Sequence, residues 1–213
     1  MLTLVGMNHI ARIALLLAVV ASSLLTGCTV PVDQVPRIVP AMAVNEIPGA
    51  NLPVDLRPYN WTDRGGSGSC ANASSVYNLQ WAAKPDVAEY WRRTHAGGET
   101  DRSLRAKHDA AKQPYYYTLR ADPALLDWAT RTRRSAVIWY YPSHAINFCG
   151  FHREPGDQRT YAYLLDNNRP QRFIKVERSE FLRAWAGYGG FALSLAAPPV
   201  PPPLYDAVSH GPS

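Results

Sequence analysis

The stretch from Trp61 to Trp81 changes character at Cys70, and that change constrains the rest of the chain. Before the cysteine come Gly65, Gly66, Ser67, Gly68 and Ser69, a composition that allows a tight backbone path. After it, Ala73, Val76, Tyr77 and the pair Gln80-Trp81 recur at spacings of three and four, which predicts a helix. A loop therefore delivers a cysteine to a helix N-terminus. Unpaired amide N–H groups and the helix dipole there favour thiolate over thiol. A thiolate with N–H donors beside it is half of an acyl-transfer site. The alternative is a small buried cysteine that opens a core helix.

The distal half of the chain supplies partners for a nucleophile. His144 lies in the apolar run Pro142 to Phe151, and an amide, Asn167, ends the run Tyr161 to Asn168. Cysteine, histidine and asparagine in that order follow the logic of a thiol peptidase. The segment Asp63-Arg64-Gly65-Gly66-Ser67-Gly68-Ser69-Cys70-Ala71-Asn72-Ala73-Ser74 resembles the nucleophile motif of the papain-like cysteine peptidases. Pro53-Val54-Asp55-Leu56-Arg57 resembles the start of their mature domain, and His144-Ala145-Ile146 and Leu164-Leu165-Asp166-Asn167 resemble their histidine and asparagine stretches. Glu180-Phe181-Leu182-Arg183-Ala184-Trp185 is similar to a helix of the compact bacterial branch that includes the double-glycine leader peptidases.

The resemblance implies Cys70 as nucleophile, His144 as the group that takes and returns its proton, and a third group that orients the imidazole. Asn167 fits the papain pattern and Asp166 the leader-peptidase pattern. Adjacent strand residues face opposite ways, so one of the two reaches His144; Asn167 is the expected one. The oxyanion donors would be the Cys70 backbone N–H and the residue at position 64. Arg64 stands there, where the family has glutamine. Ala71 replaces the usual aromatic residue. His95, His108 and His152 lack an acyl-transfer context, and Cys149 reads as a small buried hydrophobe rather than a disulfide partner of Cys70.

The N-terminus reads as an address. Ile13 to Leu25 is apolar or small, is preceded by Arg12, and ends in Leu25-Thr26-Gly27-Cys28. It is too short for a membrane span of about 20 residues and fits a secretory h-region. The last four residues resemble a bacterial lipobox, which implies a signal peptide over 1–27 and a lipid on Cys28. Thr29 after it points to the outer membrane, facing the periplasm. Residues 28–50 carry Pro31, Pro36, Pro40 and Pro48 and read as a tether; 51–197 is the expected domain; 198–213 opens with five prolines in six residues and reads as a polyproline tail.

Within the domain, caps and periodicity predict helices from Cys70, over Val87 to Arg93, from a Thr100-Asp101 cap to about Lys112, after Asp122-Pro123, and from Glu180 to Trp185 with Ser179 as cap. Strands are expected at Tyr115 to Leu119, Ala136 to Tyr141, Ala145 to Phe151, Tyr161 to Leu165, Arg172 to Val176 and Phe191 to Leu195. Helices first and an antiparallel sheet after them make an α+β domain, and the resemblance implies the papain-like fold.

The net charge of +5 comes without a long basic stripe or a reading motif, which argues against a nucleic-acid partner. No Cys/His cluster has zinc-site spacing and no phosphate loop precedes a helix, so neither metal nor cofactor is expected. The expected function is a lipid-anchored extracytoplasmic thiol hydrolase. It would be a cysteine peptidase acting on a peptide or protein, held to the membrane through Cys28. A peptidoglycan amidase or endopeptidase, and a catalytically silent binding lipoprotein, are the alternatives.

Overall fold

A computed structural model describes residues 49–154 and 156–197. The expected signal peptide, Cys28, nearly all of the expected tether and the Pro-rich tail lie outside the described residues. Among those residues are five α-helices and one six-stranded antiparallel sheet, so the domain is α+β as expected.

The helices are α1 (Cys70–Trp81), α2 (Pro85–Thr94), α3 (Asp101–Ala110), α4 (Pro123–Arg131) and α5 (Arg178–Gly187). The strands are β1 (Tyr115–Thr118), β2 (Ala136–Trp139), β3 (Ala145–Arg153), β4 (Thr160–Leu165), β5 (Ile174–Glu177) and β6 (Ala192–Leu195). Their order across the sheet is β1-β6-β2-β3-β4-β5.

Local chemistry explains most element ends. Pro85 starts α2 at a first-turn position, where its missing N–H costs nothing. Thr100 caps α3 in a capping box with Ser103. The Asp122 carboxylate accepts from Ala124 N–H at the head of α4. The cap of α5 departs from expectation. It is Glu177, whose carboxylate accepts from Ser179 N–H and Glu180 N–H, so the helix starts one residue before Ser179. Strand β2 stops at Trp139, two residues earlier than expected. Tyr140 N–H bonds His144 C=O, and Tyr141 and Ser143 take left-handed φ of 69° and 53° to close the hairpin. Gly190, at φ 63°, has Ala121 so close that a Cβ would lie 2.4 Å from its backbone N. That turn, which leads α5 into β6, is open to glycine alone.

Strand parity sorts the core into two layers. Ala136, Ile138, Ile146, Phe148, Ala162 and Leu164 pack with Leu126 of α4 and Phe181 and Trp185 of α5. Val137, Ala145, Leu193 and Leu195 face the other way, onto α1, Trp91 of α2 and Leu104 of α3. Cys149, Tyr163 and Leu165 continue that second face against Tyr77 and Trp81 of α1. Each fully buried large side chain contributes about 1.5–3 kcal/mol of transfer free energy. α1 is buried on nearly every side, which its Ala, Ser and Asn content permits.

The segment before α1 is part of the fold. Ala50 is fully buried and its N–H bonds Cys149 C=O at 3.0 Å. Arg57 is 8% exposed, donates to Leu52 C=O, Pro170 C=O and the Asn51 side chain, and lies 4.5 Å over Phe173. The order of these contacts carries the chain to Asn60, where the site begins.

Candidate active site

Cys70 is the first residue of α1. Ser69, the cap position, accepts from Ala73 N–H through its C=O at 2.8 Å, but its side chain does not cap the helix. Its hydroxyl accepts from Gly97 N–H at 2.8 Å, in the loop between α2 and α3. Gly97 is fixed by geometry, with φ 86° and Asp63 Oδ2 only 2.7 Å from where a Cβ would stand. Asp63 in turn accepts from Gly65 N–H and Ser67 N–H, each at 2.8 Å, and so shapes the glycine-rich turn. Thr62 and Gly68 pair across that turn.

Below the loop, Asn72 of α1 donates to Gly97 C=O and Glu99 and accepts from Trp91 Nε1. Glu99 accepts from Ser103 and pairs with Lys107. A polar network whose members satisfy one another holds the loop before Cys70 to α2 and α3.

The thiol meets the sheet at the start of β3. Ala145 N–H donates to Cys70 Sγ at 3.4 Å. The residue before it is His144. Cys70 is 1% and His144 6% exposed, so bulk water is largely kept from both. His144 Nε2 lies 2.9 Å from Asp166 Oδ1, and its ring stacks on Tyr141 with centroids 6.3 Å apart. With Nε2 given to Asp166, Nδ1 is the imidazole nitrogen left for proton transfer.

The expectation that Asn167 orients His144 is corrected. Asp166 does so, and strand parity is the reason. Leu164 faces α4 and α5, and Asp166 follows its parity onto the side His144 shares with Ile146. Asn167 follows Leu165 onto the α1 side. Its amide donates to Cys70 C=O at 3.0 Å, Ser74 Oγ at 3.0 Å and Ala145 C=O at 2.8 Å, while its Oδ1 is buried without a hydrogen bond among the described residues. Asn167 thus holds helix to sheet under the cysteine.

Burial pushes the Asp166 carboxyl up. The hydrogen bond and charge of His144, the Asn168 N–H and Arg169 outweigh it and hold the group below its ordinary value. Asp166 therefore remains a carboxylate beside the imidazole.

Arg64, the other expected oxyanion donor, is exposed in the Asp63–Ser67 turn, and among the described residues it forms no ion pair.

Sequence reading missed Asn60 and Asn168. Asn60 Oδ1 accepts from Ser69 N–H at 2.9 Å, and its Nδ2 donates to Asn168 Oδ1 at 3.0 Å. Asn168 Nδ2 lies 3.4 Å from His144 Nε2, and its N–H donates to Asp166. Two amides thereby tie the loop before Cys70 to His144. Asn168 lies in an Asx-rich run that reads equally well as a turn, and Asn60, between Tyr59 and Trp61, carries no comparable signal.

Cys149 is fully buried with Sγ 3.7 Å from Tyr77 hydroxyl, and no disulfide joins it to Cys70. Burial pushes its thiol up to about 12. His108 is buried between Ser75 and Trp91, and His95 stacks on the same tryptophan, so both belong to packing rather than to the cysteine. Compared with protein-family models, with curated proteins and with solved structures, the chain matches none of them.

Proposed function

We propose that this chain is a papain-like thiol hydrolase, a cysteine peptidase carried outside the cytoplasm on a lipid at Cys28. The observation that carries the reading is the convergence of three residues from distant parts of the chain. Cys70 opens α1, its sulfur takes a hydrogen bond from the residue next to His144, and His144 is held by the buried carboxylate of Asp166.

The chemistry follows from those positions. The Cys70 sulfur attacks a carbonyl carbon and forms an S–C bond, with its proton taken by His144. The carbonyl oxygen gains charge in front of the α1 N-terminus, where the Cys70 N–H donates. His144 returns the proton to the leaving amine as the C–N bond breaks. Water, giving a proton to His144, then cleaves the thioester. Asp166 holds the ring in one tautomer and stabilises the imidazolium that forms in each half.

Hydrolysis of a mixed peptide library by the full chain, with Cys70→Ala as control, tests this. Cleavage products that vanish in the control are expected. A library left intact by both proteins, with cell-wall fragments cleaved by the wild type alone, would move the activity to peptidoglycan. Inertness toward both substrates would make the chain a silent module.

A further inference from the structure

At the edge of the sheet opposite β5, strand β1 pairs with β6 on one side and leaves its other side unpaired among the described residues. Three exposed large apolar side chains belong to this edge: Tyr116 at 56%, Tyr117 at 45% and Leu119 at 47%, with Tyr116 turned to Trp128 of α4 and Tyr117 to Arg105 of α3. The Tyr116 ring meets Trp128 of α4 edge-on, with centroids 5.0 Å apart. The Arg134 guanidinium lies 4.7 Å from the centre of the same indole.

Arg134 also holds the last described residues. Its Nε donates to Leu195 C=O and Ala197 C=O at 3.1 Å each, and its Nη2 to Ala196 C=O at 3.3 Å. Ala196 N–H bonds Pro114 C=O, just before β1. The last described residues are thus pinned to the rim of the Tyr116–Trp128 surface. The next six are Pro198-Pro199-Val200-Pro201-Pro202-Pro203.

We propose that this aromatic surface is the docking site of the chain's own segment Pro198–Pro203. Tyrosine and tryptophan faces are what an extended proline helix stacks on, and such a helix loses little entropy on binding. At about 3.1 Å per residue, six residues reach roughly 19 Å. That is ample to cross both rings from a start beside Arg134. Attachment at Ala197 makes the contact intramolecular, with no association cost of a free partner. The proposal is independent of the activity assigned to Cys70.

Hydroxyl-radical footprinting of the full chain tests it, read at Tyr116 and Trp128 by mass spectrometry. Tyr59 and Tyr90, 57% and 53% exposed, serve as internal standards. Tyr116 in the wild type is expected to oxidise several-fold more slowly than Tyr59. Replacing Pro199, Pro201 and Pro202 together by serine should raise oxidation of Tyr116 and Trp128 several-fold and leave the standards unchanged. The reverse variant, Tyr116→Ser, should speed chymotryptic cleavage at Leu204–Tyr205. Equal oxidation of Tyr116 and Tyr59 in wild type, or no response to the serine variant, overturns the proposal. Protection that grows with protein concentration also overturns it, and assigns the surface to a second copy.

Discussion

Asp166 and Asn167 divide two tasks between adjacent positions. The first presents a carboxylate to His144, and the second ties Cys70 C=O, Ser74 and Ala145 C=O together. Their variants should fail differently. Asp166→Asn keeps the shape but loses the charge opposite the imidazolium, so turnover should fall by about 10²–10⁴ with the urea midpoint nearly unchanged. Asn167→Ala strands several buried acceptors, and stability should drop by about 1–3 kcal/mol. Its residual activity per folded molecule should exceed that of Asp166→Asn. The opposite ranking would return the orienting role to Asn167.

The two described cysteines also separate. Cys149 is deep in the α1 face with its thiol pushed up to about 12, whereas Cys70 lies at a helix N-terminus with an N–H on its sulfur. Iodoacetamide at mildly acidic pH should modify Cys70 first in the folded chain, as peptide mapping would read. Preferential labelling of Cys149 would count against the assignment. Cys70 and His144 were legible because residue type, order and flanking glycines all pointed to them. The choice between two adjacent Asx residues was not. It depends on which face of β4 meets α4 and α5, and register is set by pairings that no single strand encodes.

Among the elements, α3 carries the clearest pH dependence. His108 is fully buried against Trp91 and Ser75, and burial pushes its imidazole down to about 3, from an ordinary 6.5. Between those values the unfolded chain binds a proton that the folded chain refuses. This contribution is whole above pH 6.5 and is lost as pH falls toward 3, on the order of a few kcal/mol in all. Urea titrations should show His108→Leu less stable than wild type at pH 7, because Ser75 loses its partner, yet flatter between pH 6.5 and 4. Parallel curves would mean that His108 is protonated in the fold.

The loop between α2 and α3 should be as intolerant as the helices it joins. Gly97→Ala sets a methyl into Asp63 at a left-handed φ. A loss of about 1–3 kcal/mol is expected, with turnover falling beyond the folded fraction, because Ser69 loses its donor. An unchanged kcat would detach that loop from the site. Element ends were readable where a cap spoke, as at Thr100, Pro85 and Asp122. They shifted where a distant contact decided, as at Trp139, where the hairpin closes through His144, and at Glu177, which outcompeted Ser179 for the head of α5.

At the scale of the molecule, one sheet keeps α1–α3 on one face and α4 and α5 on the other. The candidate site lies where the start of β3 and the end of β4 meet the head of α1. The α+β class could be read from the sequence because the run of helices precedes most of the sheet and alternation marks each strand. The strand order could not, since β6 inserts between β1 and β2 through pairings made by the end of the chain.

The central claim is that Cys70 and His144 act as one nucleophilic pair. Labelling the full chain with a peptidyl epoxide, followed by mass mapping, tests it most directly. The account predicts one adduct per chain, on Cys70, formed in the native protein, abolished by urea and lost in His144→Ala while that variant still folds. An adduct that forms on Cys70 at the same rate without the histidine, or one that forms on Cys149 instead, would contradict it.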